Sequence, residues 1–405
     1  MVDTPTNLHS ADGNLDGRVQ LGARLILLLI ASGLGIWIAR CALWPEAHYG
    51  AVRLIPWQTW PPFGDLRIVL EACDFSRGGG DPLRSSELHY NYPRIWLSLR
   101  HLGLTVADTT WLGLTLDAAF LACIVRLAWH AAPAAVVLTA AAIATPPVMT
   151  ALERANTDLV VFVLLSVSAS LAAKTKRVGF GAGGLALAAA LKIYPAFALP
   201  ALRAPASQSA QTYLVAGSLI VAGVACQFSD LSVVAEKTPQ AHIYTYGASV
   251  PTLRLQAKGL LASHSTAAAV VTALSVAGAA SLMVVAFCFG RRSRGSTMSV
   301  ENGPALSLLS ASGLIFAATF FLTSNWFYRL VFLLWSVPLL PWKTADAKIR
   351  AAGRIAACAV VALLWTYAWP TRWGFAASHA AALCVLALFA YLAGHLAPSL
   401  RPTQQ

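Results

Sequence analysis

Carboxylates, guanidinium groups and one ammonium recur at the ends of long apolar runs, at spacings suited to acid–base chemistry on a charged substrate. The densest case is the polar stretch from about Trp57 to Trp96, with Pro61-Pro62-Phe63-Gly64-Asp65-Leu66-Arg67, Gly78-Gly79-Gly80-Asp81-Pro82-Leu83 and Tyr90-Asn91-Tyr92-Pro93-Arg94. General-base catalysis needs a partly buried carboxylate beside a substrate hydroxyl. Asp65, Glu71, Asp74 and Asp81 are candidates, among Trp57, Trp60, Tyr90 and Tyr92. Asp65 fits equally as the cap of a helix starting after the Pro-Pro-Phe-Gly turn, and Arg67 beside it would keep it ionised.

Three further constellations follow. Thr145-Pro146-Pro147 breaks one apolar run, and Glu153-Arg154-Ala155-Asn156-Thr157-Asp158 opens the next. So many polar groups at a helix end are costly unless paired or functional; Asn156 or Thr157 can cap the helix, and Glu153 can neutralise Arg154 or Arg67. Lys192-Ile193-Tyr194-Pro195 places an ammonium inside an apolar segment, either snorkelling to an interface or lining a cavity for a phosphate. In Thr323-Ser324-Asn325-Trp326-Phe327-Tyr328-Arg329 a tight turn accounts for Asn325, while Arg329 calls for an anionic partner. The rings of His242-Ile243-Tyr244-Thr245-Tyr246-Gly247 can stack on a sugar or form an interfacial belt. Gly179, Gly181 and Gly184 satisfy GxGxxG, but no strand precedes them, so Gly179 and Gly183 are read as helix-packing positions.

The elements that must position these groups are membrane helices. The 405 residues are 57% hydrophobic and 11% charged, with mean hydropathy +0.63, too little polar surface for a soluble globule of this length. Apolar runs of about 17–25 residues, enough to cross ~30 Å of hydrocarbon as helix, occupy 21–43, 107–129, 133–150, 157–173, 178–202, 212–228, 266–290, 304–323, 327–342, 350–369 and 374–397. They lack the period-2 alternation of a barrel. The fold class is therefore an all-α polytopic bundle of about 10–12 transmembrane helices. The first run is too long for a signal-peptide core and reads as a retained helix.

A net charge of +12 would suit nucleic acid, but no basic cluster lies on a soluble domain. Short loops take part of it: Lys174, Lys176 and Arg177; Arg291, Arg292 and Arg294; Lys343, Lys348, Arg350 and Arg354. The positive-inside rule makes these cytoplasmic, together with tails 1–20 and 398–405. The loops 44–106, 151–156, 229–265, 324–326 and 370–373 then face outward, provided that 178–202 is a hairpin broken near Lys192 that enters and leaves on the cytoplasmic side; a single tilted span is the alternative, and it would put Arg291, Arg292 and Arg294 outside. Surface helices are expected near 65–77 and 93–103 in the first outer loop. Of the seven cysteines, most fall inside apolar runs and act as small hydrophobes; only Cys73 is placed in a loop, and neither a disulfide framework nor a metal cluster is expected.

These residues together resemble the GT-C membrane glycosyltransferases, and most of all glycosyltransferase family 87, the polyprenyl-phosphate-mannose-dependent mannosyltransferases of bacterial envelopes. The resemblance rests on an aspartate early in a first-loop surface helix, the Gly-Gly-Gly-Asp-Pro turn, the Tyr92-Pro93 pair, Arg154-Ala155-Asn156-Thr157-Asp158 and Lys192-Ile193-Tyr194-Pro195. Arg94 stands where the family often has a second proline, and the aromatic usual soon after the aspartate is missing. The resemblance implies a sugar, mannose first, carried on a polyprenyl monophosphate and moved with inversion to a glycolipid or polysaccharide acceptor outside the cytoplasm of a bacterial inner membrane. No cofactor, metal or nucleic acid is implied. Asp65 matches the catalytic base. Arg67, Arg154, Lys192 and Arg329 would hold the donor phosphate, whose developing charge guanidinium groups stabilise strongly in a low-dielectric site. Tyr92, Arg94, Glu153, Asn156, Asp158, Tyr194, His242, Asn325 and Tyr328 would surround the substrates. A lipid-linked-glycan transporter or flippase, and an O-antigen-type ligase or polymerase acting on diphosphate-linked glycans, fit the same inventory. The first should place polar groups near the midplane with two-sided access, and the second should require a diphosphate donor.

Overall fold

The computed structural model describes residues 9–44, 61–202, 209–238, 245–263, 265–293, 304–322, 325–342, 344, 346–368 and 372–396. Each of the eleven apolar runs coincides with helix there. The chain forms α1 (His9–Leu43), α2 (Gly64–Arg77), a 3-10 segment Arg94–Leu102, α3 (Thr109–Ala128), α4 (Pro133–Ile143), α5 (Pro146–Glu153), α6 (Thr157–Thr175), α7 (Val178–Leu191), a 3-10 segment Tyr194–Ala201, α8 (Ser209–Ala225) and α9 (Phe228–Lys237). Then come strand β1 (Thr245–Tyr246), α10 (Val250–Ala257), α11 (Thr266–Arg292), α12 (Pro304–Leu322), strand β2 (Asn325–Trp326), a 3-10 segment Phe327–Trp335, α13 (Ser336–Leu339), α14 (Ala347–Thr366) and α15 (Arg372–Leu396). Among the described residues, seven helices are long and apolar enough to cross a membrane, and up to nine if the bent pairs α4–α5 and α8–α9 each count as one span. The protein is a multi-pass, almost wholly helical membrane protein.

Local chemistry explains the breaks. Pro146 and Pro147 occupy the first two positions of α5, where a missing N–H costs nothing but continuing α4 is impossible; the pair bends by 56°. At Lys192 the backbone turns extended, and Pro195 follows. The chain then folds back along α7: Leu202 Cδ2 lies 3.5 Å from where a Cβ on Gly181 would sit. Farther along, Gln227 at the end of α8 donates to the Ala190 carbonyl at 3.0 Å. Residues 178–202 are thus a broken hairpin whose ends share one face of the bundle, as the parity of the basic loops requires.

The two faces are chemically unlike. At one lie the Arg24–Trp129 carbonyl bond of 2.9 Å, the Lys174–Arg177 turn, the ends of α11 and α15, and Asp346, 3.8 Å from His395. This is the basic face. The other, the site face, carries α2, the Arg94–Leu102 segment, the α5–α6 corner, α9, α10 and the two-stranded β1–β2 pair, with Tyr246 opposite Asn325.

In a bilayer, close packing rather than hydrophobic transfer holds helices together. Gly184, not Gly179 or Gly183, is the residue that admits it. A Cβ on Gly184 would fall 2.0 Å from Ser168 Oγ, whereas nothing lies within 4 Å of one on Gly179 or Gly183. Gly290 and Gly394 do the same between α11 and α15, each 2.1 Å from a carbonyl of the other helix by that measure. Beneath the site face, Trp335 stacks on Phe162 at 4.6 Å and donates to Ser166 at 2.8 Å. A second, smaller cluster of Val69, Ala72, Cys73, Leu83, Tyr90, Tyr92, Trp96 and Leu97 seats α2 against the 3-10 segment. Cys73 is therefore buried inside a helix rather than lying in a loop, and the cysteines are free thiols.

Candidate functional site

Two buried carboxylates form the centre, and the α5–α6 corner supplies or holds both. Asp65 is not the cap of α2. Phe63 is, in a left-handed conformation (φ 59°) with no side-chain cap, and Asp65 sits inside the first turn with its side chain free for other partners. The corner reaches across by backbone, the Phe63 amide donating to the Glu153 carbonyl (2.7 Å) and the Asp65 amide to the Arg154 carbonyl (3.1 Å). Ala155 also has positive φ, 42°. Left-handed backbone is unfavourable for an aromatic or alanine side chain, and such strain on both sides of one contact marks an over-determined junction. The Phe63 ring fills the notch left by Gly113, where a Cβ would fall 2.5 Å from it.

The Asp65 carboxylate, 4% exposed, accepts Arg154 Nε (3.0 Å) and Nη2 (2.5 Å) on Oδ1 and Asn156 Nδ2 on Oδ2. Asn156 also caps α6, its Oδ1 accepting the Asp158 amide at 2.8 Å, so one side chain couples both carboxylates. Asp158, fully buried, accepts Lys192 Nζ and Tyr194 Oη at 2.6 Å. Arg329 Nε stands 3.9 Å from Asp158 Oδ2, and neither of those two atoms has a hydrogen-bond partner. One carboxylate thus faces two cations, leaving positive charge in excess and a gap between Arg329 and Asp158. Arg329 is held from behind by Asn325, which donates on to the Thr319 carbonyl. Its guanidinium lies over Tyr194, 5.2 Å from the ring centre, and Lys192 over Tyr92 at 5.7 Å. Tyr92 and Tyr328 feel both Asp65 and Asp158. Burial, then the Asp65 charge, pushes the Tyr92 phenol well above its usual range, so Tyr92 is a neutral hydroxyl donor.

Several expectations need correction. Arg67 does not stand on Asp65: it is exposed and pairs with Glu71 at 2.7 Å, because one helical turn separates those two while Asp65 points inward to Arg154. Arg94 lies outside the cluster. It bridges Asp81 (2.9 Å) and Asp230 (2.7 Å), clipping the first loop to α9, and the hydrogen bond to Asp81, above all, holds that carboxyl below the usual range. Tyr246 neither stacks on solvent-borne ligands nor joins a belt; it is buried, donating to Thr319 at 2.8 Å and stacked on Phe316. Arg154 and Lys192 are not solitary cations but paired ones. Glu153 is buried at the corner, and His242, Trp57 and Trp60 lie outside the described residues. Among the described residues no group of three or more His, Cys, Asp or Glu side chains is placed to hold a metal. Asp65, Arg154, Asn156, Asp158, Lys192, Tyr194, Asn325 and Arg329, from four separate stretches of chain, meet in one network, with Tyr92 and Tyr328 beside it.

Comparison with family models, with curated proteins and with solved structures finds no match. The site is accordingly read from its own geometry.

Proposed function

We propose that the protein is a membrane glycosyltransferase that moves a sugar, mannose first, from a polyprenyl monophosphate to a glycolipid or polysaccharide hydroxyl at the site face. The observation that carries this reading is the paired arrangement: a carboxylate with spare lone pairs, Asp65, beside a carboxylate, Asp158, out-charged by Lys192 and Arg329. Asp65 Oδ2 accepts one N–H, so it has a lone pair left for an incoming hydroxyl. In the reaction Asp65 takes the acceptor proton as the acceptor oxygen bonds to the anomeric carbon. The bond from that carbon to the phosphate oxygen breaks, and its electron pair leaves with the lipid phosphate. Arg329 and Lys192 meet the charge that appears there, in a site screened from water, where fixed donors are most effective. A single displacement of this kind inverts the anomeric carbon. Arg154 and Asn156 hold the Asp65 carboxylate in one orientation, so the base is aimed before the acceptor arrives.

The excess of basic residues on the opposite face supports an extracytoplasmic site by the positive-inside rule. This and the resemblance to family 87 favour a bacterial inner-membrane enzyme. The 178–202 hairpin is the one feature that favours a translocator, since broken helices line transporter sites; against it, the charged residues lie at helix ends, Asp158 at the start of α6, Lys192 after α7 and Asn325 after α12. A donor panel in vesicles separates the readings. Transfer from a polyprenyl-monophosphate sugar is expected. Use of diphosphate-linked glycans alone would indicate a ligase, and movement of intact lipid-linked sugar without transfer would indicate a translocator.

A further inference from the structure

The C-terminal half of the site face carries cations that no carboxylate of the same half meets among the described residues. After Glu236 the sequence holds only two acids, Glu301 and Asp346. Glu301 falls in the sequence between α11 and α12, outside the described residues, and Asp346 caps α14 beside His395 at the basic face. On the site face the same half carries Arg254 and Lys258 at the end of α10, and Arg329. Arg329 has Asp158 from the other half; the Arg254 side chain makes no ion pair among the described residues, and its Nε no hydrogen bond.

Arg254 is built into its position. Its guanidinium lies over the Phe375 ring, 3.1 Å from the ring centre, and its Nε is buried without a partner. Beside it, at the end of α14, is Tyr367, 4% exposed, whose hydroxyl meets Ser378 too loosely for a full hydrogen bond and lies within electrostatic reach of Arg254 and Tyr246. Burial pulls the Arg254 pKa down, and Tyr367 opposes that shift only in part. Tyr246, bonded to Thr319 and paired across the strands with Asn325, separates this corner from Arg329.

We propose that Arg254 and Tyr367 form a second anion site, distinct from the Asp65–Asp158 centre, which holds the phosphate group of an amphiphile at this face. A planar fork presenting two N–H edges, with a phenolic donor alongside, matches three oxygens of a phosphate better than the two of a carboxylate. The rim between α10, α14 and α15 is where a lipid headgroup would lie. This site stands whether or not Asp65 transfers a sugar.

The test is native mass spectrometry of the full-length protein in neutral detergent, titrated with phosphatidylglycerol or phosphatidylcholine. The expected result is preferential binding of phosphatidylglycerol, weakened about 10-fold or more by Arg254→Gln, partly restored by Arg254→Lys, and weakened roughly 3-fold by Tyr367→Phe. Inorganic phosphate in the same titration identifies the source: displacement of the lipid shows that free phosphate suffices, and its failure to displace shows that the headgroup is needed. Equal binding of the two lipids together with no effect of inorganic phosphate on melting would overturn the proposal, as would wild-type phosphatidylglycerol affinity in Arg254→Gln. Should Arg254→Gln not fold, unchanged binding in Tyr367→Phe overturns it instead.

Discussion

Replacing Asp65 by asparagine changes two things that can be separated. The amide oxygen can still accept from Arg154, but its NH2 group then meets the NH2 of Asn156, donor against donor, and Arg154 loses its counter-charge. Removing one partner of a buried ion pair costs about 3–5 kcal/mol. The Arg154 side chain is 25% exposed, so water recovers part, and a loss of roughly 2–3 kcal/mol is expected after that screening. Adding Asn156→Asp repairs the stability. The new carboxylate at position 156 accepts both from the introduced side-chain NH2 at position 65 and from the Asp158 backbone amide. Asparagine and aspartate cap a helix about equally well, and one negative charge stays beside Arg154. The base, however, has moved across the hydrogen bond to the α6 side. Melting in detergent, followed by the fluorescence of the tryptophans, should therefore drop in Asp65→Asn and largely recover in the double variant. Sugar transfer in nanodiscs should stay depressed by at least ~10²-fold in both. Recovery of transfer along with stability would show that Asp65 serves the fold and not the proton, and would refute the reasoning.

Three other outcomes follow from the same geometry. Lys192→Gln and Arg329→Gln should each raise the donor KM about tenfold or more, near 1.4 kcal/mol, and unchanged donor kinetics in variants that melt normally would remove them from the phosphate site. In a cysteine-free background, Ser86→Cys on the first loop should react with an impermeant thiol reagent in intact cells while Thr175→Cys at the end of α6 should not; the reverse pattern would invert the topology. Gly184→Ala should destabilise the protein by about 1–3 kcal/mol through overpacking and displace α7 from α6, whereas Gly179→Ala, with open space around it, should be silent. Equal effects at the two positions would contradict the packing account.

Much of the architecture was legible because membrane helices announce themselves by composition. The eleven apolar runs, the Pro146 break and the break at Lys192 all follow from rules that need no partner. The basic loops favour a hairpin at 178–202 over a single tilted span, and the fold-back of Leu202 onto Gly181 decides between them. The site was legible as an inventory but not as a set of pairs. Nothing in the spacing of Asp65, Arg154 and Asn156 indicates that Arg154 rather than Arg67 meets Asp65, because that choice is made by the corner that bonds Phe63 and Asp65 through the backbone. Asp158 and Lys192 lie 34 residues apart and pair because Gly184 lets α7 approach α6. Close packing falls on Gly184 rather than on Gly179 and Gly183, since periodicity cannot tell which side of α7 meets Ser168. The absence of acids near Arg254 after Glu236 can be read directly from the sequence.

The most direct test of the central claim is a second structure, of the protein in nanodiscs with polyprenyl phosphate, the lipid that sugar transfer would release. The account predicts phosphate density between Arg329 and Lys192, filling the gap beside Asp158, with Asp65 Oδ2 facing the open space where a sugar would stand and the polyprenyl chain leaving between helices at the site face. Phosphate bound at mid-depth or at the basic face, with the Arg329–Asp158 gap empty, would contradict it.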